Sequence, residues 1–225
     1  METGDWYGSQ LACFVGLKGE KFGEKGKFLV IGRAVNGWWY SDKPEDWKAL
    51  EKRNGRIEEM FKDRHLMTWV TEQWGSKDGY NTKRSAFWRV TRELVRRLGI
   101  ADVENDEWPS HIAWSNLYKV SPDGGGNPTE MLKEAQFPGC AQILAAEIRE
   151  LKPQTVVFLT GWKWAEKFLS ALEAKQSVSG TGGVLEAWGH LPSGSEFVVL
   201  PHPQGKSEGK IVNAAVNGFE RLRKK

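Results

Sequence analysis

Four short apolar runs, each closing on small or polar residues, limit the folds open to this chain more than any other feature. They are Phe28-Leu-Val-Ile31 before Gly32-Arg-Ala-Val-Asn36-Gly37, His111-Ile-Ala-Trp-Ser115 before Asn116, Thr155-Val-Val-Phe-Leu-Thr160 before Gly161, and Phe197-Val-Val-Leu200 before Pro201-His-Pro203. Continuous apolar runs of this length suit strands covered on both faces. Helical patterns separate the later runs, and that alternation builds a parallel sheet with helices packed on it. The carboxyl ends of parallel strands share one rim, where ligands of open α/β sheets bind. Arg33, Asn36, Asn116 and His202 are therefore expected in one crevice, although they are scattered along the chain.

The helical set follows from 3.6-residue periodicity and its punctuation. Residues 45–61 carry Trp47, Leu50, Ile57 and Phe61 on one stripe. A second helix runs from the cap Ser85 to Leu98, with Phe87, Val90, Leu94 and Leu98 inward and Arg89, Arg92, Arg96 and Arg97 on a face expected to be solvated, with phosphate binding as the alternative. Thr129 caps a short helix over 130–135, and Pro138 opens a longer one that Pro153 ends. Segments 163–172 and 210–222 complete the set. The stretch 65–82, with Trp69, Trp74, Gly75, Gly79 and Tyr80, reads as an irregular excursion over the sheet rim.

The four strand-end motifs spread from the first to the last quarter of 225 residues, so a single domain over 1–225 is expected. Charged residues at 27% and hydrophobic ones at 40% fit a folded globular protein. A formal charge of +3 permits contact with nucleic acid without requiring it. There are 12 tryptophans, each expected first in core or loop packing, and the flat rings near Gly-rich stretches also suit stacking on bases. Cys13 and Cys140 are the only thiols, too few for a disulfide framework or an all-cysteine metal site. The start Met-Glu-Thr-Gly-Asp lacks the basic flank and apolar core of a signal peptide. A cytoplasmic monomer without a membrane partner is the expectation.

Among candidate chemical groups His202 is the sharpest, because Pro201 and Pro203 restrict the backbone on both sides of it at a strand mouth. An imidazole held there serves acid–base chemistry or donates to a developing anion. The stretch Gly32-Arg33-Ala34-Val35-Asn36-Gly37 is neither a dinucleotide fingerprint nor a P-loop, but its glycines let a ligand approach the backbone. The Asn116 carboxamide offers a donor and an acceptor together, suited to a base edge.

These motifs, taken in order, resemble the uracil-DNA glycosylase superfamily. The similarity is strongest between Ile112 and Leu169: Trp114-Ser-Asn-Leu-Tyr-Lys119-Val-Ser-Pro122, Gly126-Asn-Pro-Thr129, Glu147-Ile-Arg-Glu-Leu-Lys-Pro153 and Val156-Val-Phe-Leu-Thr-Gly161. It is closest to the thermostable iron–sulfur branch, whose members read Asn-Leu/Val-Val-Lys-Cys-Arg-Pro-Pro and then Asn-Arg-x-Pro-Thr. Pro201-His-Pro203 is similar to the superfamily's second catalytic motif, and Ile31-Gly-Arg-Ala-Val35 occupies the place of its first.

The resemblance implies a three-layer α/β/α sandwich with a central four-stranded parallel sheet. It also implies hydrolysis of the N-glycosidic bond of a deaminated or damaged base flipped out of single- or double-stranded DNA. On this implication Asn116 reads the base edge, His202 stabilises the departing base, and the backbone of Gly32, Arg33 and Ala34 holds a pyrimidine oxygen. Trp39 or Tyr40 stacks on the base, and Lys119, Lys206 and Lys210 meet phosphate.

Departures from the family pattern carry their own expectations. Ala34 stands where Asp, Asn or Glu usually positions water, and Asn36 or Asp42 is expected to substitute from the loop. Val120 replaces a cluster cysteine, so no iron–sulfur cluster and no other cofactor is expected. A catalytically silent relative that binds nucleic acid, a free base or a nucleotide is the alternative.

Overall fold

A computed structural model of the chain describes residues 14–35, 67–120, 126–178 and 183–224. The elements are β1 (Leu17–Lys18), β2 (Phe28–Ala34), α1 (Trp69–Glu72), α2 (Ala86–Arg97), β3 (Ile112–Tyr118), α3 (Glu130–Leu151) and β4 (Thr155–Leu159). They continue with α4 (Trp162–Ala171), β5 (Lys175–Val178), β6 (Ala187–His190), β7 (Glu196–Leu200) and α5 (Glu208–Arg223). The expected helix over 45–61 lies outside the described residues.

One sheet of seven strands takes the order β1-β3-β2-β4-β7-β6-β5. The pairs β2–β3, β2–β4 and β4–β7 are parallel, whereas β1–β3, β6–β7 and β5–β6 are antiparallel. The sheet is thus mixed and larger than the four strands expected. The apolar runs account for β2, β3, β4 and β7, and the additional strands are short. The short strand β5 is exposed throughout, so no apolar run marks it in the sequence.

Helices cover both faces. Phe28, Val30, Val157 and Val198 belong to the core under α2 and α5, while Leu29, Ile31, Val156 and Val199 belong to the core under α3 and α4. Alternation of side chains within strands buried on both sides explains why the runs are apolar at every position. Each such side chain contributes about 1.5–3 kcal/mol on burial.

The helices depart from expectation in two ways. In α2 the buried stripe contains Trp88, Val90, Thr91, Leu94 and Val95, with Phe87 and Leu98 at its margin. The two helices expected around Pro138 are one, running unbroken from the Thr129 cap, whose hydroxyl accepts from the Leu132 amide at 3.3 Å. Pro138 lies inside it, and the helix ends at Lys152, which adopts the left-handed conformation (φ 47°) just before Pro153.

The α2 arginines are largely paired within the molecule. Arg89 binds Glu208 at the start of α5 (2.5 Å), Arg92 donates to the Val103 carbonyl (2.7 Å), and Arg96 pairs with Glu93. Arg89 thereby ties α2 to α5. No helix among the described residues is long and apolar enough to cross a membrane.

Candidate functional site

The parallel strands β2, β3, β4 and β7 bring their carboxyl ends to one rim, and β2 sits between β3 and β4. β2 continues through Gly32, Arg33 and Ala34, and β3 continues through Asn116 to Tyr118. Both candidate stretches therefore lie within strands, where the sequence suggested loops. The extension is physical: Gly32 pairs with Asn116 and Ala34 with Tyr118 in the parallel register. Gly32 and Asn116 lie on the α2 face of these strands, and the Arg33 side chain lies on the α4 face.

On the α2 face, Asn116 packs against Gly32 so closely that a Cβ on Gly32 would lie 2.2 Å from Asn116 Oδ1 and 3.4 Å from the Phe87 ring. The need for glycine here is thus a matter of space. Asn116 is 3% exposed, and its Nδ2 has no hydrogen-bond partner among the described residues. A buried donor left unpaired costs about 1–3 kcal/mol. It is a donor awaiting an acceptor.

On the α4 face, Arg33 donates from Nε to the Thr160 carbonyl at 2.7 Å, and its guanidinium carbon lies 5.1 Å from the centre of the Trp164 ring. Lys133 Nζ approaches the same ring to 3.8 Å. Gly161 joins the ends of β4 and β7 by donating to the Leu200 carbonyl at 2.8 Å. It then turns the chain into α4 with a φ of 84°, a conformation that favours glycine. The Glu186 carboxylate reaches this turn and accepts from the Trp162 amide. Burial pulls the Arg33 guanidinium below its ordinary value, and the nearby Glu186 charge works in the opposite direction.

His202 follows β7 on the same rim. Burial, and then the charge of Arg33, hold its pKa at about 4 instead of the usual 6.5, so the imidazole is neutral at physiological pH. Its Nδ1 accepts from the Gln204 amide at 3.3 Å, which leaves the proton on Nε2. A neutral imidazole whose Nδ1 is an acceptor keeps Nε2–H as its donor.

No protein-family model matches the chain, and no curated protein does.

Lys119 requires a correction. Expected at phosphate, it is fully buried, with Nζ 2.9 Å from both oxygens of the equally buried Glu147 carboxylate and 2.7 Å from Ser115 Oγ. Ser115 donates to Glu147 at 2.6 Å, and the Gly16 amide donates at 2.7 Å. This network locks β3 to α3 and reaches the segment before β1. Its sequence signal is Glu147 itself, a carboxylate on the same helical face as Leu144, Ile148 and Leu151.

Lys206 and Lys210 are exposed, in the loop after His202 and in the first turn of α5. Ala34 is partly buried against the α3–α4 core. Asn36, Trp39 and Tyr40 lie outside the described residues.

Sequence reasoning missed Glu186, and little could have found it. Gly183-Val-Leu-Glu-Ala187 carries no motif, and only the pairing of β6 with β7 brings it to the rim. Cys140 is buried, with Sγ 3.3 Å from Gln136 Oε1, and no three potential metal ligands gather among the described residues.

Proposed function

We propose that this protein hydrolyses the N-glycosidic bond of a deaminated or damaged base, of the uracil type, flipped out of DNA. His202 carries the reading: a neutral imidazole, tautomer set by Gln204, presents Nε2–H at the ends of the parallel strands. A base leaving with the glycosidic electron pair is an anion, and a preorganised donor lowers the barrier to its departure. The proton need not move for this donor to act.

The second support is the unpaired Asn116 Nδ2, an arrangement suited to a carbonyl oxygen on a base edge. β3 and β7 are separated by two strands, a span of about 14 Å at normal strand spacing. A base bound across the end of β2 would have Asn116 on one side and Arg33 with His202 on the other. The exposed Lys206 and Lys210 lie next to His202 and suit phosphates flanking the extruded nucleotide. The central block of parallel strands with helices on both faces also accords with the superfamily resemblance.

A silent binding module is the second reading, favoured by Ala34, which brings no water-positioning group. One assay separates the two. Purified protein is incubated with end-labelled oligonucleotides containing uracil, hypoxanthine or xanthine, and abasic sites are cleaved with alkali. Alkali-dependent breaks at the lesion support hydrolysis. Intact strands, together with binding that weakens steeply with salt, support the binding module.

A further inference from the structure

We infer that Glu186 is the catalytic carboxylate of this site, holding and deprotonating the attacking water in place of the group that Ala34 lacks. The inference rests on the glycosylase reading and deepens it. β2 and β4 pair as far as Ile31↔Phe158, and the chain after β4 turns at Gly161 close to the Arg33 side chain. Glu186 Oε2 lies 3.7 Å from the position a Cβ would take on that glycine, and an Arg33 Nη2 nitrogen lies 3.6 Å from the same point. A carboxylate thus stands beside the side chain of Arg33, the residue before Ala34, delivered by the segment that leads into β6.

The carboxylate is oriented. Its Oε2 accepts from the Trp162 amide at the start of α4, and the Glu186 amide donates to the Val199 carbonyl at 2.9 Å, anchoring the residue to β7. Among the described residues Oε1 accepts no hydrogen bond, so one oxygen is fixed and the other is available to water. Arg33 adds a positive charge close by, itself held by Thr160 and Trp164. Glu186, Arg33 and His202 therefore gather at the ends of β2, β4 and β7, although the sequence separates them widely.

The chemistry balances with water as the only co-reactant. The C1′–N bond breaks, and its electron pair leaves with the base while His202 Nε2–H hydrogen-bonds the developing anion. The sugar becomes oxocarbenium-like, a cation that a neighbouring carboxylate stabilises. Water attacks C1′ and passes a proton to Glu186, which returns it by way of solvent to the departed base. The products are an abasic site and the neutral free base.

Glu186→Gln keeps an oxygen to accept from Trp162 and removes the negative charge, so it tests the role without uncapping α4. Single-turnover cleavage, oligonucleotide KM and melting temperature are measured on the wild type and the variant. The expected result is a fall in kcat of roughly 10²–10⁴ with KM and melting temperature little changed. Glu186→Ala, with 100 mM-scale formate added, should regain part of the lost rate, which a structural role would not allow. Cleavage by Glu186→Gln at the wild-type rate overturns the assignment and leaves the glycosylase reading standing. A wild type inert on every lesion overturns both.

Discussion

His202 is kept neutral by two causes that a substitution can separate. Burial is the larger and the Arg33 charge the smaller, and both disfavour a protonated imidazole. The His202 ring resonances should show no titration between pH 5 and 8, the range in which a free histidine changes charge, and should move only near pH 4. Arg33→Gln should raise that midpoint part of the way toward 6.5, as followed by two-dimensional NMR of the imidazole. A midpoint near 6.5 in the wild type would refute the buried, Arg33-adjacent setting. At Lys119 the consequence is one of stability. Lys119→Met strands the buried Glu147 carboxylate and should cost about 3–5 kcal/mol in urea denaturation, while the proposed DNA affinity, measured below the unfolding range, should stay unchanged. A lysine bound to phosphate would give the reverse pattern.

Among the elements, α3 shows propensity overridden by tertiary packing. Pro138 cannot donate to the carbonyl of Glu134, and an isolated peptide of this sequence would break there. The helix persists because Cys140, Leu144, Ile148 and Leu151 bury themselves against the sheet and Glu147 joins the network of β3. Pro138→Ala restores the missing donor and should stabilise the fold by about 1–3 kcal/mol, less what proline contributes by restricting the unfolded chain. Thermal melting measures it, and an unchanged or lower melting temperature would show that the helix is already adapted to the proline. The strands were legible because burial on both faces leaves an uninterrupted apolar run. Their lengths were not, since Gly32–Asn116 and Ala34–Tyr118 pairing extends β2 and β3 into residues that look like loop. The short strands β1, β5 and β6 were not legible, because β1 forms by pairing with β3, β6 by pairing with β7 and β5 by pairing with β6, rather than through any pattern of their own.

At the scale of the whole molecule, two buried groups on the rim and its surroundings bound the pH range of greatest stability. The unfolded chain takes up a proton at His202 below pH 6.5, whereas the native chain resists until about 4, so stability falls as pH drops through this interval. Burial, followed by the nearby charges of Glu134, Cys140 and Glu130, raises the Tyr118 phenol from 10.0 to about 12. The unfolded chain loses that proton first, so stability also falls as pH rises between these values. Urea midpoints measured against pH should therefore be highest between about 6.5 and 10 and decline on both sides, and replacing Tyr118 with Phe should reduce the decline between pH 10 and 12. By itself the sequence determined the α/β class, the four long strands and the placing of Arg33 and His202 at strand ends, because burial pattern and turn chemistry are local. Tertiary structure alone decided that Lys119 faces Glu147, that Asn116 closes on Gly32, and that Glu186 comes to the end of β4. Those outcomes depend on strand order, register and the face each side chain takes, which are set by contacts between residues far apart in the chain.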